Sequence, residues 1–295
     1  MTTLFRGTFT ALVTPFRNGG IDFPALEKLI EAQISAGVEG LVAIGTTGES
    51  PTLAHEEKEE IIRFTIAKTN KRCLVLAGTG SNSTREAIAA TQAAEKLGAD
   101  GALVVVPYYN KPSQEGLFRH FQGIAKATSL PLMLYNIPPR CVVDITPETV
   151  ARLQSDCANI VSIKEASGSV DRIADLRGRM PEEFTILSGD DGLTLPFMAV
   201  GAVGVVSVAS NLVPGEVCQL VRAFSSGDVE GAQRLHTRLY WLFKDLFIEP
   251  NPVPVKAAMS WRGMISAEVR LPLCEMTQAN EARLRRTLEE FERAV

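Results

Sequence analysis

Long apolar runs, paired cysteines and an excess of basic charge are all missing from this 295-residue sequence. No apolar stretch reaches the roughly 20 residues that a membrane-spanning helix needs. The opening MTTLFRGTFTALVTPF has no basic segment followed by a long apolar one, so a secretory leader is not expected. The five cysteines (Cys73, Cys141, Cys157, Cys218 and Cys274) are odd in number and scattered. With no CxxC and no Cys/His cluster, neither a disulfide framework nor a structural zinc is expected. A net charge of −4 leaves no basic face for nucleic acid or anionic lipid. What is present is ordinary: 45% hydrophobic and 22% charged residues suit a globular chain with a sizeable core. A cytoplasmic setting is expected.

The strongest pattern is an alternation of short apolar runs with longer helical stretches. The runs are Phe9–Val13, Leu41–Ile44, Leu74–Ala77, Ala102–Val106, Leu132–Tyr135, Ile160–Ile163, Thr185–Leu187 and Val203–Val208. Nearly continuous hydrophobic runs are what strands buried on both faces require. Between them, Phe23–Ser35, Glu56–Thr69, Thr84–Lys96 and Gln114–Ala127 carry helical spacing, and Thr146-Pro147-Glu148 reads as a helix start. Eight strand–helix repeats in about 210 residues predict an α/β chain folded as a (β/α)₈ TIM barrel rather than an open doubly wound sheet. The strand signal stops near residue 212. Pro214–Ser225, Val229–Phe247, Val255–Trp261 and Thr277–Val295 look helical and predict a C-terminal helical appendage. The division is placed as a barrel domain over 1–224 and a helical domain over 225–295.

In a barrel, chemistry gathers at the C-terminal ends of the strands. Polar residues do cluster there, in Gly45-Thr46-Thr47-Gly48-Glu49, Pro107-Tyr108-Tyr109-Asn110, Tyr135–Arg140, Lys164–Gly168 and Ser188-Gly189-Asp190-Asp191. Lys164 follows Ile160, Val161 and Ile163, and burying it charged is costly. Burial lowers a lysine pKa, and the neutral amine then attacks a carbonyl to give an imine. The plainer reading is a lysine snorkelling at the strand end or paired with Glu165, although adjacent strand residues point to opposite faces. Tyr135 ends the preceding strand and can relay protons; a core tyrosine with a satisfied hydroxyl is its plainer reading. Thr46 and Thr47 offer hydroxyls on a glycine-flanked loop. That loop lacks the endings of a nucleotide-binding motif, and Gly45 and Gly48 suit close approach of a small carboxylate to backbone amides. Arg140, after two prolines, suits capture of a second carboxylate, or else is a surface arginine. Asp190 and Asp191 read as helix N-cap charges. With His55, His120 and His236 all placed in helices, no metal site is expected.

Taken together, TALVTPF (10–16), GTTGES (45–50), AGTGSNST (77–84), PYYNKPSQEGL (107–117), YNIPPR (135–140), IKEASG (163–168), LSGDD (187–191) and NPVPVK (251–256) resemble the dihydrodipicolinate synthase/N-acetylneuraminate lyase family nearly end to end. The resemblance implies pyruvate held as an imine on Lys164, with Tyr135, Thr47 and Tyr109 as proton relay. It implies that Tyr109 reaches into a neighbouring subunit, making an obligate dimer usually found within a homotetramer. Thr46 and Thr47 would bind the pyruvate carboxylate, while Gly189 and the Val206 carbonyl line that pocket. Arg140 would bind L-aspartate-4-semialdehyde, the second substrate of a condensation in diaminopimelate and lysine biosynthesis. No metal or organic cofactor is implied. Two departures stand out. Where the family pattern often continues after the arginine with Thr-Gly, this chain has Cys141-Val142. His55, Gly80, Asn82, Glu86 and Tyr108 match a lysine-feedback site at the subunit interface, but Lys58 stands where sensitive members often carry His or Glu. A cation there should repel lysine, so feedback is expected to be weak. Other readings are a pyruvate aldolase or dehydratase acting on sugar-acid or hydroxyproline-derived substrates, and a non-catalytic barrel.

Overall fold

The computed structural model describes residues 5–293. β1 (Gly7–Ala11) is followed by a short hairpin, β2 (Phe16–Arg17) and β3 (Gly20–Ile21), and by helix α1 (Phe23–Ala36). Strand and helix then alternate: β4 (Gly40–Ala43), α2 (His55–Thr69), β5 (Leu74–Gly78), α3 (Thr84–Leu97), β6 (Gly101–Val105) and α4 (Gln114–Lys126). β7 (Leu132–Asn136) leads through a one-turn helix, α5 (Pro138–Cys141), to α6 (Pro147–Asp156). β8 (Ile160–Glu165), α7 (Val170–Arg179), β9 (Thr185–Ser188), α8 (Thr194–Ala199) and β10 (Gly204–Ser207) complete the sheet. Eight parallel strands close in the order β1-β10-β9-β8-β7-β6-β5-β4, each paired with its neighbours, so the barrel has no exposed edge.

Alternation along each strand divides the core in two. Phe5, Phe9, Val42, Leu76, Leu103, Met133, Leu187 and Val206 fill the barrel interior, while the other face of each strand packs under the helix ring. The ring helices start where the sequence supplies caps. Ser83, Ser113, Thr146 and Ser169 each accept a backbone N–H from their own first turn, and Gly37 and Gly98 end α1 and α3 in the left-handed conformation.

Among the described residues four α-helices follow β10: α9 (Pro214–Ser225), α10 (Val229–Asp245), α11 (Val253–Trp261) and α12 (Gln278–Arg293). The first of them is not part of an appendage. α9 packs on β1, α1 and α8 and supplies the eighth ring helix, whereas α10 lies outside it against α9 and α12. The expectation that the last helix runs on to Val295 falls at residues 294 and 295 outside those described. Among the described residues no helix is long and apolar enough to cross a membrane.

Candidate active site

β8 delivers two ionisable residues to opposite faces of the barrel wall. Glu165 points outward, fully buried, and accepts hydrogen bonds from Arg172 Nε (2.7 Å), Asn136 Nδ2 (3.0 Å) and the Ser167 amide (2.9 Å). Its charge is thus engaged behind the wall and is not the partner of the lysine beside it. Lys164 points inward, 5% exposed, directly opposite Tyr135 on β7, with its Nζ 4.2 Å from the centre of the phenol ring. Burial pushes its pKa down from 10.5 to about 7; the Asp191 charge opposes this and the Arg140 charge adds to it. An amine in this position is substantially neutral near pH 7. The snorkelling reading of Lys164 therefore fails.

Tyr135 is buried as well, and burial raises its pKa against the Arg140 charge and the Thr46 hydroxyl, both of which favour phenolate. Gly189, at the end of β9, has to be a glycine. A Cβ there would lie 2.7 Å from the Ala166 Cβ and 3.1 Å from the Lys164 Cε, so a side chain would force Ala166 to shift and would crowd the lysine. Of the two aspartates that follow, Asp190 caps the next turn through the Gly192 amide, as the sequence predicts. Asp191 does not cap its own segment. It is buried and reaches across to Ser207 Oγ and to the Val208 and Ala209 amides, where it caps the 3₁₀ turn after β10, and burial raises its pKa to about 6.

The GTTGES segment is a tight loop at the end of β4. Gly45 carbonyl accepts from the Gly48 and Ser50 amides and Thr46 carbonyl from the Glu49 amide, while Ile44 and Glu49 both take positive φ, 51° and 55°. Gly78 lets β5 approach this turn, since a Cβ there would sit 2.5 Å from the Ile44 carbonyl oxygen. Among the described residues the Thr46 and Thr47 amides donate to no protein acceptor, which leaves two adjacent N–H groups for an anion. Thr47 is buried and its Oγ1 accepts from Asn251 Nδ2 at 3.0 Å. Arg140 projects from α5, which the two prolines initiate, and its guanidinium donates to the Asn251 carbonyl at 3.2 Å. The helix ends at Val142, a β-branched residue held at φ 60° and largely exposed.

A cavity of about 390 Å³ joins several of these groups. Thr46, Tyr135, Arg140 and Cys141 line it together with His55, Lys58, Gly80, Glu86 and Tyr108. Thr47, Lys164, Gly189 and Val206 are not among its lining residues. Asn82 is tied elsewhere, its carbonyl accepting from Asn110 Nδ2. Tyr109 is not brought to the site by its own chain. It stands 89% exposed with φ 73°. Lys58 is half-buried and its pKa is lowered by that burial. Among the described residues no three His, Cys, Asp or Glu side chains cluster as metal ligands.

Sequence reasoning missed Asn251, Lys256 and Arg270, which reach the GTTGES loop from more than 200 residues away. The NPVPVK motif (251–256) contains the first two, and no motif contains Arg270.

The sequence model of the Dihydrodipicolinate synthetase family matches residues 4–291. A protein of Citrifermentans bemidjiense named 4-hydroxy-tetrahydrodipicolinate synthase is 52% identical over 288 residues, 98% of this chain and 99% of the relative. One of the same name from Endomicrobium trichonymphae is 50% identical over 98% and 99%. The solved 4-hydroxy-tetrahydrodipicolinate synthase of Methylacidiphilum fumariolicum SolV superposes with a TM-score of 0.97 at 56% identity, covering 98% of this chain and 96% of that one.

Proposed function

The chain belongs to the dihydrodipicolinate synthetase family, and from that premise we propose that it is a lyase with 4-hydroxy-tetrahydrodipicolinate synthase activity, condensing pyruvate with L-aspartate-4-semialdehyde. The observation that carries the mechanism is the buried Lys164 amine, held near neutrality against the Tyr135 ring.

The amine attacks the keto carbon of pyruvate, and the carbinolamine loses water to give an imine. The protonated imine nitrogen then accepts the electrons released when a proton leaves the pyruvate methyl group, and the enamine attacks the aldehyde carbon of the second substrate. The substrate's own amine closes the ring onto the imine carbon and expels Lys164. Each step moves a proton over a short distance. Tyr135, with Thr47 and the Tyr109 of a neighbouring subunit, is the relay we assign to them. The Thr46 and Thr47 amides and hydroxyls hold the pyruvate carboxylate; Gly189 and the Val206 carbonyl line the same subsite. Arg140 binds the carboxylate of the aldehyde. The imine nitrogen is itself the electron sink, so this scheme uses no metal or organic cofactor. Unpaired cysteines fit a cytoplasmic enzyme, and the exposure of Tyr109 supports a working unit of at least a dimer, with a homotetramer as the fuller assembly.

Borohydride reduction in the presence of pyruvate should leave a lactyl-sized mass on Lys164, and turnover should be faster with L-aspartate-4-semialdehyde than with sugar-derived partners. Preference for the latter would move the chain to the aldolase or dehydratase reading. We also infer weak lysine feedback, because the Lys58 ammonium lines the cavity that His55, Glu86 and Tyr108 share. Strong inhibition by sub-millimolar lysine in a steady-state assay would overturn that inference.

A further inference from the structure

The GTTGES loop carries a buried ion pair that the scheme above leaves unused. Glu49 and Lys256 are both fully buried, with Oε1 and Nζ 2.6 Å apart. The other carboxylate oxygen of Glu49 accepts the Arg270 backbone amide at 3.0 Å. Lys256 Nζ and the Arg270 guanidinium lie over the Phe16 ring, each 4.3 Å from its centre. The Arg270 side chain then ties Thr52 carbonyl, Gly19 carbonyl and both oxygens of Glu57, at the start of α2, into one cluster. Five residues before Lys256, Asn251 donates to Thr47 and accepts from Arg140.

Stability alone is a poor reason for such a pair, since a buried ion pair replaced by apolar groups of similar size is often neutral or better. What the pair does supply is direction. Glu49 is held at φ 55°, two residues after Thr47, and an apolar side chain in its place could not fix both the loop and the backbone of residue 270. One stretch of the chain, 251–270, thereby touches both loops to which carboxylate binding is assigned.

We propose that the Glu49–Lys256 pair, braced by Arg270, is a positioning device that sets the Thr46–Thr47 amides for the pyruvate carboxylate. The proposal rests on the reading of those amides as the carboxylate subsite. It makes residues 251–270 of the C-terminal segment an outer support of the active site.

The test is steady-state kinetics on the full chain carrying Glu49→Gln with Lys256→Met, which removes both charges and leaves none unpaired. The Michaelis constant for pyruvate should rise about tenfold while kcat at saturating pyruvate stays within about twofold, because misplaced amides weaken carboxylate capture without touching Lys164. The borohydride adduct on Lys164 should still form at high pyruvate. A folded double variant whose pyruvate constant stays within about twofold of the parent overturns the proposal, as does a fall in kcat alone, the mark of a merely structural brace. If the double variant does not fold, Arg270→Gln decides. That site is partly exposed, and its loss should raise the same constant about threefold, with no change counting against the proposal. An unmodified protein that forms no pyruvate adduct would instead refute the functional reading, and this proposal with it.

Discussion

A lysine kept out of water by the strand that carries it is a liability to folding, and Lys164 is one. The amine is lowered from 10.5 to about 7 chiefly by burial. Between those two pH values the unfolded chain binds a proton that the folded chain does not, so the lysine costs most below pH 7, and its cost fades as pH rises toward 10.5. Lys164→Met should therefore raise the unfolding free energy by on the order of 2 kcal/mol at pH 6–7, and the gain should shrink by pH 10. Denaturant unfolding across that range checks both halves, while the adduct disappears. The same ionisation makes pyruvate trapping by the parent enzyme faster from pH 6 to about pH 8, since only the neutral amine attacks. Lys164, Tyr135, Thr47 and Arg140 stand out in the sequence as candidates because they lie at or shortly after strand ends. Lys256 and Asn251 were not, since their partners are 207 and 204 positions away in sequence and nothing local marks a buried pair.

At the next scale, the loops at the strand ends differ in how much the sequence reveals of them. Strands, helices α1 to α4 and the start of α6 were readable from period and capping; α7 and α8 were not singled out, and β2, β3 and α5 are too short to show a period at all. The α5 turn shows what the Cys141-Val142 departure costs in structural terms. The residue that caps it, Val142, is left-handed, a conformation that costs a β-branched side chain about 1–2 kcal/mol and glycine almost nothing. Val142 is largely exposed, so Val142→Gly should lose little packing and stabilise the chain by roughly 0.5 kcal/mol after glycine's own entropic cost. A thermal melt that moves downward would contradict this. Asp191 shows the limit of element-by-element reading. Its position predicted a local cap, but it caps a turn that the barrel's closure places beside it.

For the whole molecule, closure of eight parallel strands is what turns scattered motifs into one site. It sets β7, β8 and β9 side by side with Tyr135, Lys164 and Gly189 at their ends. The single chain leaves Tyr109 in solvent, and the assignment of its role to a partner can be checked by mixing. Lys164→Ala and Tyr109→Phe subunits, each nearly inactive, should form mixed dimers in which one site has both residues, restoring about a quarter of parental activity. No recovery after subunit exchange would place Tyr109 in its own subunit's site or in none. The most direct measurement of the central claim remains mass spectrometry of the intact protein reduced with borohydride in pyruvate. One lactyl-sized addition per chain is expected, mapped by peptide analysis to Lys164 and absent from Lys164→Ala. An unmodified Lys164, or an adduct on another lysine, would contradict it.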